Sequence, residues 1–154
     1  MPEQITIERA RRDAREGKSP STQAGEFVRE EIEHIREGKH GARSAKQAIA
    51  IGLSKARRAG VKLPPPKAGQ ASARTRKQAQ REVSRGRSTA SATHSRKRSL
   101  AASRKLKKEG HSAASHRALS AHAKRAARQR SAASRSQQAK RAARTRRASK
   151  GGSR

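Results

Sequence analysis

Along the first sixty residues, apolar positions recur at three- and four-residue intervals between glycines, a pattern that predicts helices and not strands. From Pro20 to Glu37 the apolar residues Phe27, Val28, Ile32 and Ile35 share one face, and glutamates, including Glu30, Glu31, Glu33 and Glu37, dominate the other, which is expected to be solvated. Ser19 followed by Pro20 reads as N-cap and first helical position, and Gly38 closes the segment. Ala45, Ala48, Ile49, Gly52, Leu53 and Ala56 predict another helix. It should start at the capping-box pair Ser44 and Gln47, and end at Ala59 with Gly60 in the C′ position. Ahead of both, Thr6 is expected to cap a first helix that runs through Glu16 to Gly17, anchored only by Ile5 and Ile7. The second and third helices are expected to pack as a hairpin, with Leu53 facing Phe27 and Ile32.

Beyond Gly60 this patterning fades. Pro64, Pro65 and Pro66 cannot continue a helix, so Val61 to Lys67 reads as a stiff polyproline-like linker. From there on, Ala, Ser, Lys and Arg dominate a low-complexity stretch whose self-repulsion opposes compaction. The sequence therefore predicts a small all-α N-terminal module of two or three helices over residues 1–60, a linker over 61–67, and a basic tail over 68–154. That tail is expected to be largely disordered when free and to become helical on binding. Within it, Ala-Lys-Arg-Ala-Ala-Arg-Gln-Arg from Ala123 recurs almost unchanged from Ala139.

Charge sharpens the division. Residues 1–60 hold 13 basic and 9 acidic side chains, whereas residues 61–154 hold 28 basic and 2 acidic, out of a formal net charge of +30. A polycation of that density releases counterions from duplex DNA whatever the base sequence, which makes binding strong, salt-dependent and non-specific. The expected phosphate contacts are Arg74, Arg76, Lys77, Arg85, Arg87, Arg96, Lys97, Arg98, Arg104, Lys105, Lys107 and Lys108, followed by Lys124, Arg125, Arg128 and Arg130 and by Lys140, Arg141, Arg144, Arg146 and Arg147. Phe27 is the single aromatic residue and lies on the expected core face, so stacking on unpaired bases is disfavoured. Duplex DNA is the expected partner. RNA or the ribosome is the alternative, and the N-terminal helices offer a homodimer or protein-partner surface that would make the tail a tether.

Other chemistry is thinly supported. There is no cysteine, so disulfides, thiolate metal sites and thiol nucleophiles are excluded. His34 and His40 are six apart, as are His116 and His122, no adjacent carboxylates are expected to complete a set, and none shows helical i, i+4 metal-ligand spacing, so no metal and no cofactor is expected. No nucleophile and base pair stands out, and the chain does not read as an enzyme. Arg85-Gly86-Arg87 matches the centre of an AT-hook but lacks the flanking prolines. No stretch is long and apolar enough for a membrane span or a signal peptide, so a cytoplasmic, nucleoid-associated protein is expected, with no membrane partner.

The stretch Ser44-Ala45-Lys46-Gln47-Ala48-Ile49-Ala50-Ile51-Gly52-Leu53-Ser54-Lys55-Ala56-Arg57, preceded by the Glu-rich segment from Phe27 to Lys39, resembles a small bacterial domain of unknown function. Members of that family share a Glu-rich stretch, a short Gly/Lys loop and a Lys-Gln-Ala-Ile-Ala-Ile-(Gly/Ala)-Leu-Ser-x-Ala-Arg phrase. The resemblance brings no activity with it. In composition, the tail is similar to bacterial linker-histone-like proteins, which implies nucleoid association.

Overall fold

Helix α1 runs from Gln4 to Arg15, one turn ahead of the start expected at Thr6. The carbonyl of Glu3 accepts from the backbone N–H groups of Thr6 and Ile7 at 3.1 and 3.2 Å, so Thr6 lies inside the helix and is buried. Helix α2 spans Pro20–Arg36, with Ser19 Oγ accepting from the Thr22 N–H at 3.4 Å. Helix α3 spans Ala45–Arg58, where Ser44 Oγ accepts from the Gln47 N–H at 3.2 Å and Gln47 Oε1 accepts in turn from the Arg43 N–H at 3.0 Å. Gly60 adopts φ +93°, which lets the Val61 N–H reach back to the Ala56 carbonyl at 3.1 Å and close α3 in a Schellman turn. The computed structural model describes residues 2–87 and 96–151.

Small residues let these helices come close. Ala10, Ala24, Phe27, Ala56 and Val61 form a buried cluster, with Ile7, Leu53 and Leu63 packed against it. Where α2 crosses α3, a Cβ on Gly52 would stand 2.6 Å from Val28 Cα, a backbone atom that cannot yield without parting the helices. A Gly-to-Ala change gains about 1 kcal/mol in helix propensity, but overpacking of this kind costs about 1 to 3 kcal/mol. Gly52→Ala is therefore expected to lower the thermal midpoint followed by circular dichroism. A raised midpoint would mean that α2 and α3 are free to separate.

Two expectations about polarity and order are corrected. Glu30 and Glu31 are buried, at 3% and 0% exposure, and do not belong to a solvated face. The reason is Lys55 on α3, whose Nζ lies 3.2 Å from Glu30 Oε1 and 2.7 Å from Glu31 Oε2. The expectation of two or three helices and a largely disordered tail also fails. Four further α-helices follow among the described residues: α4 (Ala73–Arg87), α5 (Arg96–Lys107), α6 (His116–Arg128) and α7 (Ala132–Gly151), with a 3-10 turn at Ser112–Ala114.

The order of this basic stretch has identifiable causes. Alanine, arginine and lysine are strong helix formers. The two acidic residues after position 60 both reach back to the first sixty. Glu82 on α4 accepts from Ser54 Oγ at 2.5 Å and lies 4.0 Å from Arg57 Nη1, while Glu109 lies 3.6 Å from Arg43 Nε. Desolvation lowers the pKa of the Arg57 guanidinium, an effect that Glu82 opposes. Alanines supply the apolar contact, Ala79 on α4 and Ala113 and Ala114 in the 3-10 turn all being buried. The loop between α2 and α3 then receives the end of α5 through backbone bonds, from the Gly41 N–H to Leu106 O at 2.9 Å and from the Ala42 N–H to Gly110 O at 3.0 Å. Arg36 Nε adds a bond to Ala114 O at 3.0 Å. The proline segment is held as well, with Val61 buried and Arg57 Nη2 donating to Pro64 O at 3.4 Å.

Contacts divide the chain into two units, Met1–Ala118 and Leu119–Arg154. The first contains the packing just described. In the second, Arg130 Nη1 donates to Gln138 Oε1 at 2.7 Å, and Ser131 Oγ caps α7 by accepting from the Ser134 N–H at 3.2 Å. Among the described residues no helix is long and apolar enough to cross a membrane.

Candidate nucleic-acid interface

Helix α4 is two-sided. Ala79 and Glu82 are buried on the side seated against α3, where Ser54 and Arg57 meet Glu82. Arg74, Lys77, Arg81 and Arg85 are all exposed, and their spacing of three, four and four residues aligns them along the other side. At 1.5 Å per residue this row is about 16 Å long, and it contains no acid. Arg76 does not join it. It is half-buried, and its Nε lies out of solvent with no hydrogen-bond partner among the described residues. Arg81, absent from the residues expected from sequence, completes the row; helical spacing from Arg74 was the signal for it.

Helix α5 repeats the arrangement less regularly. Lys97 and Arg104, seven residues apart, share a face with Lys108 just past the helix end, while Leu106 is half-buried on the opposite side. Lys105 and Lys107 flank them and are also exposed. The side chains of Arg87, Arg96 and Arg98 lie outside the described residues. In the second unit Lys124, Arg125, Arg128 and Arg130 are exposed, and so are Lys140, Arg141, Arg144, Arg146 and Arg147 of α7. The unit as a whole carries 12 basic and no acidic residues. On α7 the cations are distributed around the whole helix, so this helix has no apolar stripe to bury. The two sequence repeats therefore differ in structure: the first ends α6 and continues into a turn, while the second lies within α7.

Arg85-Gly86-Arg87 sits in the last turn of α4, which is not the extended form a minor-groove insert requires. Gly86 has a packing role instead. A Cβ there would run into the Arg57 carbonyl, so glycine is what allows the ends of α3 and α4 to meet.

A second polar cluster lies at the end of α2 and in the loop that follows it. Glu31, His34 and His40 each bring one ligand-capable atom within 4.8 Å of the others. Sequence reasoning set these histidines aside on the ground that no adjacent carboxylate completes a ligand set with them, which Glu31 does. The Glu31–His34 spacing of three residues, one turn of helix, was the available signal. Glu3 adjoins the cluster. Its hydrogen bonds from the His34 ring and from Lys39 hold its carboxyl below the usual carboxylate range, and Lys39 is raised in turn by Glu37 and Glu3.

Residues 17–68 match the model of a family of unknown function, DUF6496. The matched stretch takes in α2, α3 and the proline segment and stops before α4, and the α3 phrase noted in the sequence falls inside it. No curated protein and no solved structure matches the chain.

Proposed function

We propose that the chain binds duplex DNA through the phosphate backbone, without base readout, as a nucleoid-associated protein and not as an enzyme. The observation that carries this reading is the exposed row Arg74, Lys77, Arg81 and Arg85 on a helix whose other side is anchored by Glu82 and Ala79. Four cations held by a packed helix lose less freedom on meeting phosphates than the same four on a mobile chain, so more of the electrostatic gain is retained. The exposed cations of α5 and of the second unit add to the same non-specific attraction.

Fluorescence anisotropy of a labelled duplex across a salt series tests this. Changing all four residues of the row to Ala is expected to flatten the slope of log affinity against log salt by up to about 3.6, at about 0.9 per lost phosphate contact. Changing Arg74, Arg81 and Arg85 to Lys, beside the Lys77 already present, should leave the slope nearly intact, because a phosphate contact needs charge before geometry. An unchanged slope in the alanine variant would remove α4 from the interface. Tighter binding of structured RNA than of duplex DNA at matched salt would favour the RNA alternative.

A further inference from the structure

We propose that Glu31, His34 and His40 form a binding site for a divalent transition-metal ion of the zinc class, joining α2 to the loop that follows it. The three ligand-capable atoms lie within 4.8 Å of one another. His40 Nε2 is 3.3 Å from Glu31 Oε1. Metal–ligand bonds of 2.0–2.1 Å in a tetrahedron give an edge of about 3.3 Å, so this pair already stands at coordination spacing. The rings of His34 and His40 meet edge to face, with centroids 6.2 Å apart.

The neighbours divide the ring nitrogens in the way a metal site requires. Glu3 Oε1 lies 2.8 Å from His34 Nε2, while Nδ1 lies 4.0 Å from Glu30 Oε1, too far for a hydrogen bond, and so keeps its lone pair for an ion. The Gly41 carbonyl lies 3.2 Å from His40 Nδ1, which leaves Nε2, the nitrogen beside Glu31. A carboxylate or a backbone carbonyl on the far nitrogen is how ligating histidines are usually oriented and kept in one tautomer. Glu31 itself is fully buried. Lys55 Nζ approaches Oε2 at 2.7 Å and His40 approaches Oε1, yet neither contact has hydrogen-bond geometry, so both carboxylate oxygens retain acceptor capacity.

Charge balance favours a dication. Glu30 and Glu31 share Lys55, and Glu3 and Glu37 share Lys39, so four carboxylates meet two ammonium groups. With neutral imidazoles the cluster carries two excess negative charges, which one divalent ion offsets. Two histidines and one carboxylate suit zinc, cobalt or iron(II) and are poor ligands for calcium or magnesium. The site lies beside Gly41 and Ala42, whose N–H groups bond to Leu106 and Gly110, so an ion here would rigidify the loop that receives the end of α5.

The test uses the full chain without a histidine tag, stripped by chelator and titrated with zinc chloride in a calorimeter, with cobalt(II) absorption as a second readout. One ion per chain with a micromolar or tighter Kd is expected, together with the intense visible bands of low-coordinate cobalt. His34→Ala and His40→Ala should each weaken binding at least a hundredfold, and Glu3→Gln about ten- to a hundredfold. His122→Ala should leave it unchanged. Should one of the histidine variants fail to fold by circular dichroism, the other and Glu3→Gln decide. Binding weaker than about 100 μM, or an equal loss in His122→Ala, would overturn the proposal, the latter by showing diffuse surface-histidine binding.

Discussion

Deleting Ala123–Lys150 from the full chain is expected to flatten the salt dependence of duplex-DNA affinity by several units while leaving sequence preference unaltered. The segment removes 11 basic residues and no acidic one. If every one met a phosphate the slope would fall by about 10. Cations spread around α7 cannot all face one duplex, and about half that change is the geometric expectation. Because six to ten phosphate contacts correspond to about a thousand- to a hundred-thousandfold loss between 50 and 200 mM salt, the deletion should be plainest at low salt, where the intact chain binds tightest. Anisotropy titrations at four or more salt concentrations measure it, and shuffled duplexes serve as the specificity control. A slope left as it was would place the contacts on α4 and α5 and make the second unit a tether. A preference of a hundredfold or more for one site would contradict backbone binding itself.

Phe27→Ala is expected to destabilise the first unit by about 3 to 5 kcal/mol, the range for truncating a buried aromatic to alanine. Phe27 is 1% exposed and is the largest side chain in a cluster whose other buried members are alanines and Val61, so the space it leaves would have to be filled by Ile7, Leu53 and Leu63 from the edge. Small domains have a total stability of about 5 to 15 kcal/mol, and much of the cooperative unfolding should be lost in urea. Leu100→Ala is the contrast. That side chain is 49% exposed, and the change should stay within about 0.5 kcal/mol. Equal effects from the two substitutions would mean that the alanine-rich interface, and not Phe27, holds α2 and α3 together.

The helix boundaries of the N-terminal region were legible because they depend on local chemistry. Ser19 with Pro20, Ser44 with Gln47, and the glycines at 38 and 60 act within one turn of themselves, so neighbours in sequence are enough to locate α2 and α3. Thr6 misled because Glu3, engaged by His34 and Lys39 from another part of the chain, stands where the helix begins. The charge asymmetry was legible for the same reason that it matters: it needs only counting.

Packing between distant segments decided the rest. Composition argues for a disordered tail, because alanine contributes little burial per residue and the cations repel. Tertiary structure answers with close contacts that alanine and glycine permit, as at Gly41, Gly86, Ala113 and Ala114, and with two acids placed where Arg57 and Arg43 can meet them. No local pattern marks Glu82 as the partner of Ser54, 28 residues away. Burial of Glu31 likewise depends on Lys55 from α3, and its approach to His40 depends on the turn of the chain after α2. From sequence alone this chain determined where its N-terminal helices start and stop and how unevenly its charge is spread. Only the tertiary structure decided which cations line up on α4 and which carboxylates leave water, because both depend on segments that meet only in the folded chain.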